Sequence, residues 1–260
     1  MHTDFKFMLK KYSYNLHPGD IVAGKIIYKE KKGFIVNIGD QVAGYLPKEE
    51  ISLLLDQSID NNLFTNITRE FFILTYNRSK KQLILSIKRL EYMQSWKRIK
   101  QIQKENIVFN VPITTLNKGG IITYLENIQS FIPNSHISIN NYNYQNTHNI
   151  ICKLLIIDEK NNQIILSNKS AILHESKHKF RISEIAYGKI IQIKKYGLFI
   201  ELNKVIALLH ISEIASNYIS NLHQVFSLEQ IIKIKIIHID FKQGRLSLSK
   251  KLTINHHQQL

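Results

Sequence analysis

The chain has 260 residues, is 44% hydrophobic and carries a formal net charge of +15. That apolar content supports packed cores and excludes a disordered chain. The positive excess points to a polyanion, with nucleic acid ahead of an acidic membrane surface. One cysteine, Cys152, excludes an intrachain disulfide and reads as a small core residue. No apolar run approaches the roughly 18 residues that cross a bilayer.

The opening stretch, MHTDFKFMLKKYSYNLHPGD, holds no secretory apolar segment and is poor in Arg and Ser. The chain is therefore expected to act in the compartment where it is made. Ile, Asn and Lys are abundant, while Gly (10) and Pro (4) are scarce. Such a bias follows from A+T-rich coding, as in many organelle genomes or in an A+T-rich microbe.

Two landmarks then repeat three times in the same order. KKGFIV (31–36), KGGIIT (118–123) and KYGLFI (195–200) share a glycine at Gly33, Gly120 and Gly197. NRSKKQLILS (77–86), DEKNNQIILS (158–167) and DFKQGRLSLS (240–249) each join a polar turn to an alternating strand that ends in Leu-Ser. The starts of the second landmark lie 81 and 82 residues apart. The alternation has period 2 and excludes a helical solenoid. In the third repeat it predicts strands over roughly 187–195, 197–203, 205–209, 231–239 and 244–249, with a longer connection over 211–230. Five strands with a long segment after the third is the layout of an OB-fold barrel, whose closure hides the edges of an Ile-rich sheet. The expectation is an all-β chain of three tandem five-stranded OB-fold barrels over 17–88, 104–170 and 184–252.

Between repeats one and two, RLEYMQSWKRIKQIQKE places Leu90, Met93, Trp96, Ile99 and Ile102 at every third residue. This predicts a short amphipathic helix with Trp96 as its packing anchor. AILHESKHKFRIS reads as a basic linker. The loop 139–149 is low-complexity, and its Tyr142 and Tyr144 read as part of a polar loop rather than as stacking platforms. His256 and His257, in the terminal tail, form no metal motif.

No catalytic constellation emerges. The chain lacks a Gly-rich phosphate loop, an H-E-x-x-H helix and any cysteine–histidine metal spacing, and its carboxylates are scattered. It reads as a non-enzyme with no cofactor, no metal and no small-molecule substrate. A basic barrel with aromatics on a strand face remains. Tyr196 and Phe199 flank the glycine bend, His210 ends the third strand, and Lys194, Lys195 and Arg245 add positive charge. Single-stranded nucleic acid is held by such a set, with bases stacked on rings and phosphates neutralised by Lys and Arg. If Leu198 and Ile200 point inward, Phe199 points out; the alternative places Phe199 in the core.

The run G-K-I-I…Y-G-L-F-I…A-L-L-H-I-S-E-I…I-D…G-R-L-S-L-S resembles the S-one (S1) RNA-binding domain, an OB-fold family. The resemblance implies an RNA face of Tyr196, Phe199, His210, Asp240 and Arg245. Repeats one and two depart from it. They hold Lys32 and Gly119 at the first aromatic position, Ile35 and Ile122 at the second, Pro47 and Pro133 for the histidine, and Gln82 and Gln163 for the arginine. Their RNA faces read as stripped. With K-G-G, the Phe131-Ile132-Pro133 run and the tryptophan helix, they resemble the ribosome-docking leading repeats of bacterial S-one ribosomal proteins. The resemblance covers 17–252 and implies a small-subunit ribosomal protein of plastid type. Its partners would be single-stranded RNA, mRNA above all, and proteins of the small subunit. Two other classes stay open: an accessory RNA-binding subunit of a ribonuclease or polynucleotide phosphorylase, and a pure protein scaffold.

Overall fold

The structure is a computed structural model that describes residues 15–40, 42–53, 68–77, 79, 81–138, 148–215 and 221–251. The Tyr142/Tyr144 loop and the His256–His257 tail lie outside the described residues. The chain divides into two compact units, Met1–Ile99 with Glu126–Ile128, and Lys100–Leu125 with Gln129–Leu260.

The first repeat is a closed barrel of β1 (Ile21–Lys29), β2 (Gly33–Asn37), β3 (Gly44–Pro47), β4 (Thr68–Asn77) and β5 (Gln82–Ser86), in the order β1-β2-β3-β5-β4. All pairs are antiparallel except β3 with β5. Alternation fills it, with Phe34, Val36, Leu46, Phe71, Ile73, Leu83 and Leu85 at 2% exposure or less. Helix α1 (Lys88–Glu105) follows. Leu90, Ser95, Trp96 and Ile99 are its buried residues, whereas Met93 is 43% exposed. The every-third-residue stripe thus fails at Met93.

The second repeat contains β6 (Val108–Pro112), β7 (Thr115–Leu116), β8 (Gly120–Leu125), β9 (Ile128–Pro133), β10 (Asn149–Asp158) and β11 (Gln163–Ser167). It has six strands where five are predicted, in the order β6-β10-β11-β9-β8-β7. The extra strand comes from a break in the first, for which the side chains give a reason. Nine residues before each shared glycine stand Gly24, Val111 and the third repeat's Gly188. A Cβ on Gly24 would meet the Val36 side chain, and one on Gly188 the Ile200 side chain. In the second repeat the equivalent positions hold Thr123 and Val111, and Val111 is buried at 2% exposure. Pro112 comes next and has no N–H for the ladder. The Thr123 hydroxyl donates to the Pro112 carbonyl at 2.5 Å, and backbone bonds from Ile113 and Thr114 carry the chain across the gap. Helix α2 (Asn168–Glu175) follows, capped by the Ser167 side chain, which accepts from the Ser170 N–H.

The third repeat closes as β12 (Ile185–Lys194), β13 (Gly197–Leu202), β14 (Val205–His210), β16 (Arg245–Ser249) and β15 (Ile231–Asp240), with a one-turn helix α3 (Leu222–Val225) before β15. Register irregularities at Ile190/Gln192 in β12 and Ile236/His238 in β15 match those of β1 and β4. Such bulges bend a strand so that it serves both sides of a small barrel. Leu198, Ile200, Ala207, Leu209, Ile234, Ile236 and Leu248 form the core, all within 1% exposure.

Candidate nucleic-acid interface

Burial along β13 alternates, with Leu198, Ile200 and Leu202 inside and Phe199 half-buried on the outer face. The shared glycine has a tertiary reason. A Cβ on Gly33, Gly120 or Gly197 would run into the carbonyl oxygen of Leu46, Ile132 or Leu209, so the second strand of each repeat lies hard against the third. In the third repeat this presses the Lys195-Tyr196 turn against the end of β14, and Tyr196 O accepts from Ile211 N–H.

Tyr196 is 49% exposed. Its ring meets Phe199 edge to face, with centroids 6.2 Å apart and planes at 85°. Phe199 pairs with Leu208 on β14, Leu208 with Ser247 on β16, and Ser247 with His238 on β15, which makes one row across the outer face. His210 pairs with Gly197 at the end of that face and is exposed. Its Nδ1 accepts the Ser212 N–H at 3.3 Å and meets the Ser212 hydroxyl at 2.8 Å. With Nδ1 accepting the Ser212 N–H, a neutral ring carries its proton on Nε2. Lys194 and Lys195 are exposed beside Tyr196.

Asp240 and Arg245 pair across the β15–β16 turn. The Asp240 carboxylate accepts the N–H groups of Lys242 at 3.0 Å and Gln243 at 2.9 Å, so its first role is to shape the turn. Arg245 lies two residues before Ser247 on the same face, on the opposite side of the Phe199 row from His210. The candidate residues therefore span the outer face rather than converge on a point.

Two residues absent from the sequence expectation join this face from the second repeat, which shares a unit with the third. The β15–β16 turn docks on the start of α2: Ser170 Oγ donates to Phe241 O at 2.6 Å, and a Cβ on Gly244 would meet the Lys169 and Ser170 backbone. This brings Arg245 within electrostatic reach of Lys169 and His136. Burial first, then Arg245, holds the Lys169 ammonium below its usual range. Burial, then Lys169 and Arg245, does the same to the His136 ring. Lys169 Nζ donates to Ser135 O at 2.7 Å, and His136 Nδ1 meets Ser167 Oγ at 3.0 Å. No local motif marks these residues, because the sequence places them about 75 and 110 positions from Arg245.

The faces of the first two repeats are rearranged rather than bare. Ile35 pairs with Tyr45, just as Phe199 pairs with Leu208. The aromatic of the cross-strand pair has thus moved one strand over, and the Tyr45 ring lies against the shared Gly33. Phe131 does the same in the second repeat, its ring tip against Gly119 and Gly120. A column-by-column comparison of β2, β8 and β13 misses this exchange.

A tandem array of small OB-type barrels with an aromatic, basic outer face defines a nucleic-acid-binding protein of the S1 class. The family model described as "S1 RNA binding domain" matches residues 16–88 and 179–251. The chain is 45% identical over 251 residues to "Small ribosomal subunit protein bS1c" of Porphyra purpurea, covering 96% of this chain and 95% of that one. It is 38% identical to the bS1A protein of Synechocystis sp., covering 95% of this chain and 76% of that one. With bS1c of Spinacia oleracea the identity is 29%, over 95% of this chain and 61% of that one. The chain belongs to the S1 RNA binding domain proteins and, among them, to the bS1 family of small ribosomal subunit proteins.

Proposed function

We propose that this chain is a small-subunit ribosomal protein that binds single-stranded RNA through its third barrel and supports translation on the plastid ribosome. The observation that carries the reading is the outer face of that barrel. It offers two perpendicular aromatic rings, the exposed His210, and Lys194, Lys195 and Arg245 around them. Stacking on rings is base-tolerant, so sequence preference is weak, and phosphate contacts make affinity fall with salt. Capture of unpaired message shifts local RNA equilibria toward the single strand. The role is binding, with no bond made or broken.

The first two repeats, spanning 17–88 and 104–170, hold the protein on the subunit, while the third, spanning 184–252, reaches for message. Support comes from the exchanged Tyr45 and Phe131, which pack over their own glycines, and from Pro47 and Pro133 where the third barrel has His210. The plastid assignment is supported by the bS1c relatives and the A+T-type composition. Co-sedimentation of the purified chain with small ribosomal subunits at graded salt tests the reading. Binding to the subunit, plus salt-sensitive retention of an unstructured RNA, is expected; a chain that stays free of subunits at every salt concentration refutes it.

A further inference from the structure

Among the described residues, Lys153 is the one lysine, arginine or carboxylate that is buried, at 5% exposure. It stands on the outer side of β10, paired with Val108 and Ser167. Its neighbour Cys152 fills the core. No carboxylate forms an ion pair with it among the described residues, and the charge that acts on it, Lys177, is of like sign. Its stem is covered while its ammonium is partly desolvated, and both that desolvation and the like charge of Lys177 disfavour the charged form. An anion seated against Lys153 offsets both.

The structure has room for one. Lys153 lines a cleft of about 370 Å³ whose other walls include Asn106, Ile107, Ser170, Phe241 and Lys242. Lys177 Nζ lies 5.7 Å from the centroid of the Phe241 ring. The cleft thus has Lys153 and Lys242 in its walls, Lys177 over its aromatic wall, and the Asn106 amide. Its size suits a nucleotide. It also opens beside the β15–β16 turn, of which Phe241 and Lys242 are part and which Arg245 ends. A polyanion crossing Arg245 reaches it over the length of one turn. Continuity with that face favours RNA over an acidic peptide.

We propose that this cleft is a second phosphate-binding site, which takes a backbone phosphate of the single-stranded RNA as the strand leaves the third barrel. The proposal rests on the third-barrel reading and extends its track onto the second repeat. Lys153 grips the phosphate, Lys242 and Lys177 screen its neighbours, and Phe241 offers its ring edge to the adjoining base.

The test is an anisotropy titration of the full chain with single-stranded RNAs of about 4 to 16 nucleotides, the range of site sizes for one OB fold. Wild type is compared with Lys153→Met, which keeps the stem and removes the charge, and with Lys242→Gln at the exposed rim. The shortest RNA should bind all three alike. The longest should bind the variants about tenfold more weakly, with a salt slope smaller by about 0.7 for the lost phosphate contact. Without RNA, Lys153→Met should melt at or above the wild-type temperature. Should it instead melt lower, Lys242→Gln decides. Wild-type affinity and slope in the variants at every length overturn the proposal. A Tyr196→Ala/Phe199→Ala variant run alongside separates the two failures. If it weakens short-RNA binding while the lysine variants change nothing, the cleft is wrong and the third-barrel face stands. If it leaves short-RNA binding intact, the face itself is wrong.

Discussion

Replacing Phe199 with Ala removes a half-buried ring that stands perpendicular to Tyr196. Two rings at 85° cannot join one parallel stack, so each offers its own platform to a base. A stacked base contributes about 1–3 kcal/mol, so Phe199→Ala should weaken binding by roughly 5- to 150-fold, and Tyr196→Ala by a similar range. The rings also orient each other, and an edge-to-face pair is worth about 0.5–1.5 kcal/mol. That contact exists with and without RNA, so it enters the stability of the barrel: in urea unfolding the double variant should fall short of the summed single losses by about 1 kcal/mol. The rings touch no phosphate in this scheme. The slope of log K against log salt should therefore stay at its wild-type value, whereas Lys194→Gln and Lys195→Gln should each lower it by about 0.7. Fluorescence anisotropy with an unstructured RNA at four or more salt concentrations reads both quantities. Wild-type affinity in the double variant, or a changed slope in Phe199→Ala, refutes the stacking scheme.

Further outcomes are expected elsewhere. Thr123→Val removes the hydroxyl that donates to the Pro112 carbonyl and should cost about 0.5–1.5 kcal/mol in urea unfolding; an unchanged midpoint refutes the account of the strand break. Gly197→Ala forces a Cβ onto the Leu209 carbonyl and should destabilise the third barrel by more than about 1 kcal/mol, read by the same assay. Burial pushes the Cys152 thiol well above its usual range, so a thiol reagent at pH 8 should label it only as fast as the second repeat opens, and rapid labelling of the native chain contradicts that. His136 prefers its neutral ring when folded, because burial and then Lys169 and Arg245 lower its pKa. Its contribution is therefore complete above the ordinary histidine value near 6.5 and lost as pH falls through it. The decline in stability between about pH 7 and 5 should be shallower in His136→Gln, and an identical decline excludes this linkage.

The third barrel was legible because its alternation is strict. Leu198 and Ile200 each sit within a core that needs them, and Phe199 between them has nowhere to go but out. The predicted strand limits differ from the observed ones by at most two residues. The break in the first strand of the second repeat was not legible. Val111 and Pro112 are tolerable in an edge strand, and their effect appears only when Thr123 is seen to bond to Pro112. The exchange that gives Tyr45 and Phe131 their places was hidden for another reason. Matching motifs along one strand compares a residue with its sequence equivalent, not with the pair it forms across the ladder. Lys169 and His136 reach Arg245 through a joint between repeats, which no local pattern encodes.

That joint bears on how such arrays evolve. The turn before the last strand needs a left-handed residue in every repeat, and Lys81 and Asn162 supply it at φ 48° and 52°. The same position in the third repeat is Gly244, at φ 66°, although the turn itself does not demand glycine. What demands it is the backbone of Lys169 and Ser170, lying where a side chain would start. The third repeat has thus been fitted to the one before it and is not an interchangeable module. Moved to another place in the array, it would keep its fold and lose its seat. Glycine at this position then marks, within a single repeat, that its turn is pressed against a neighbour.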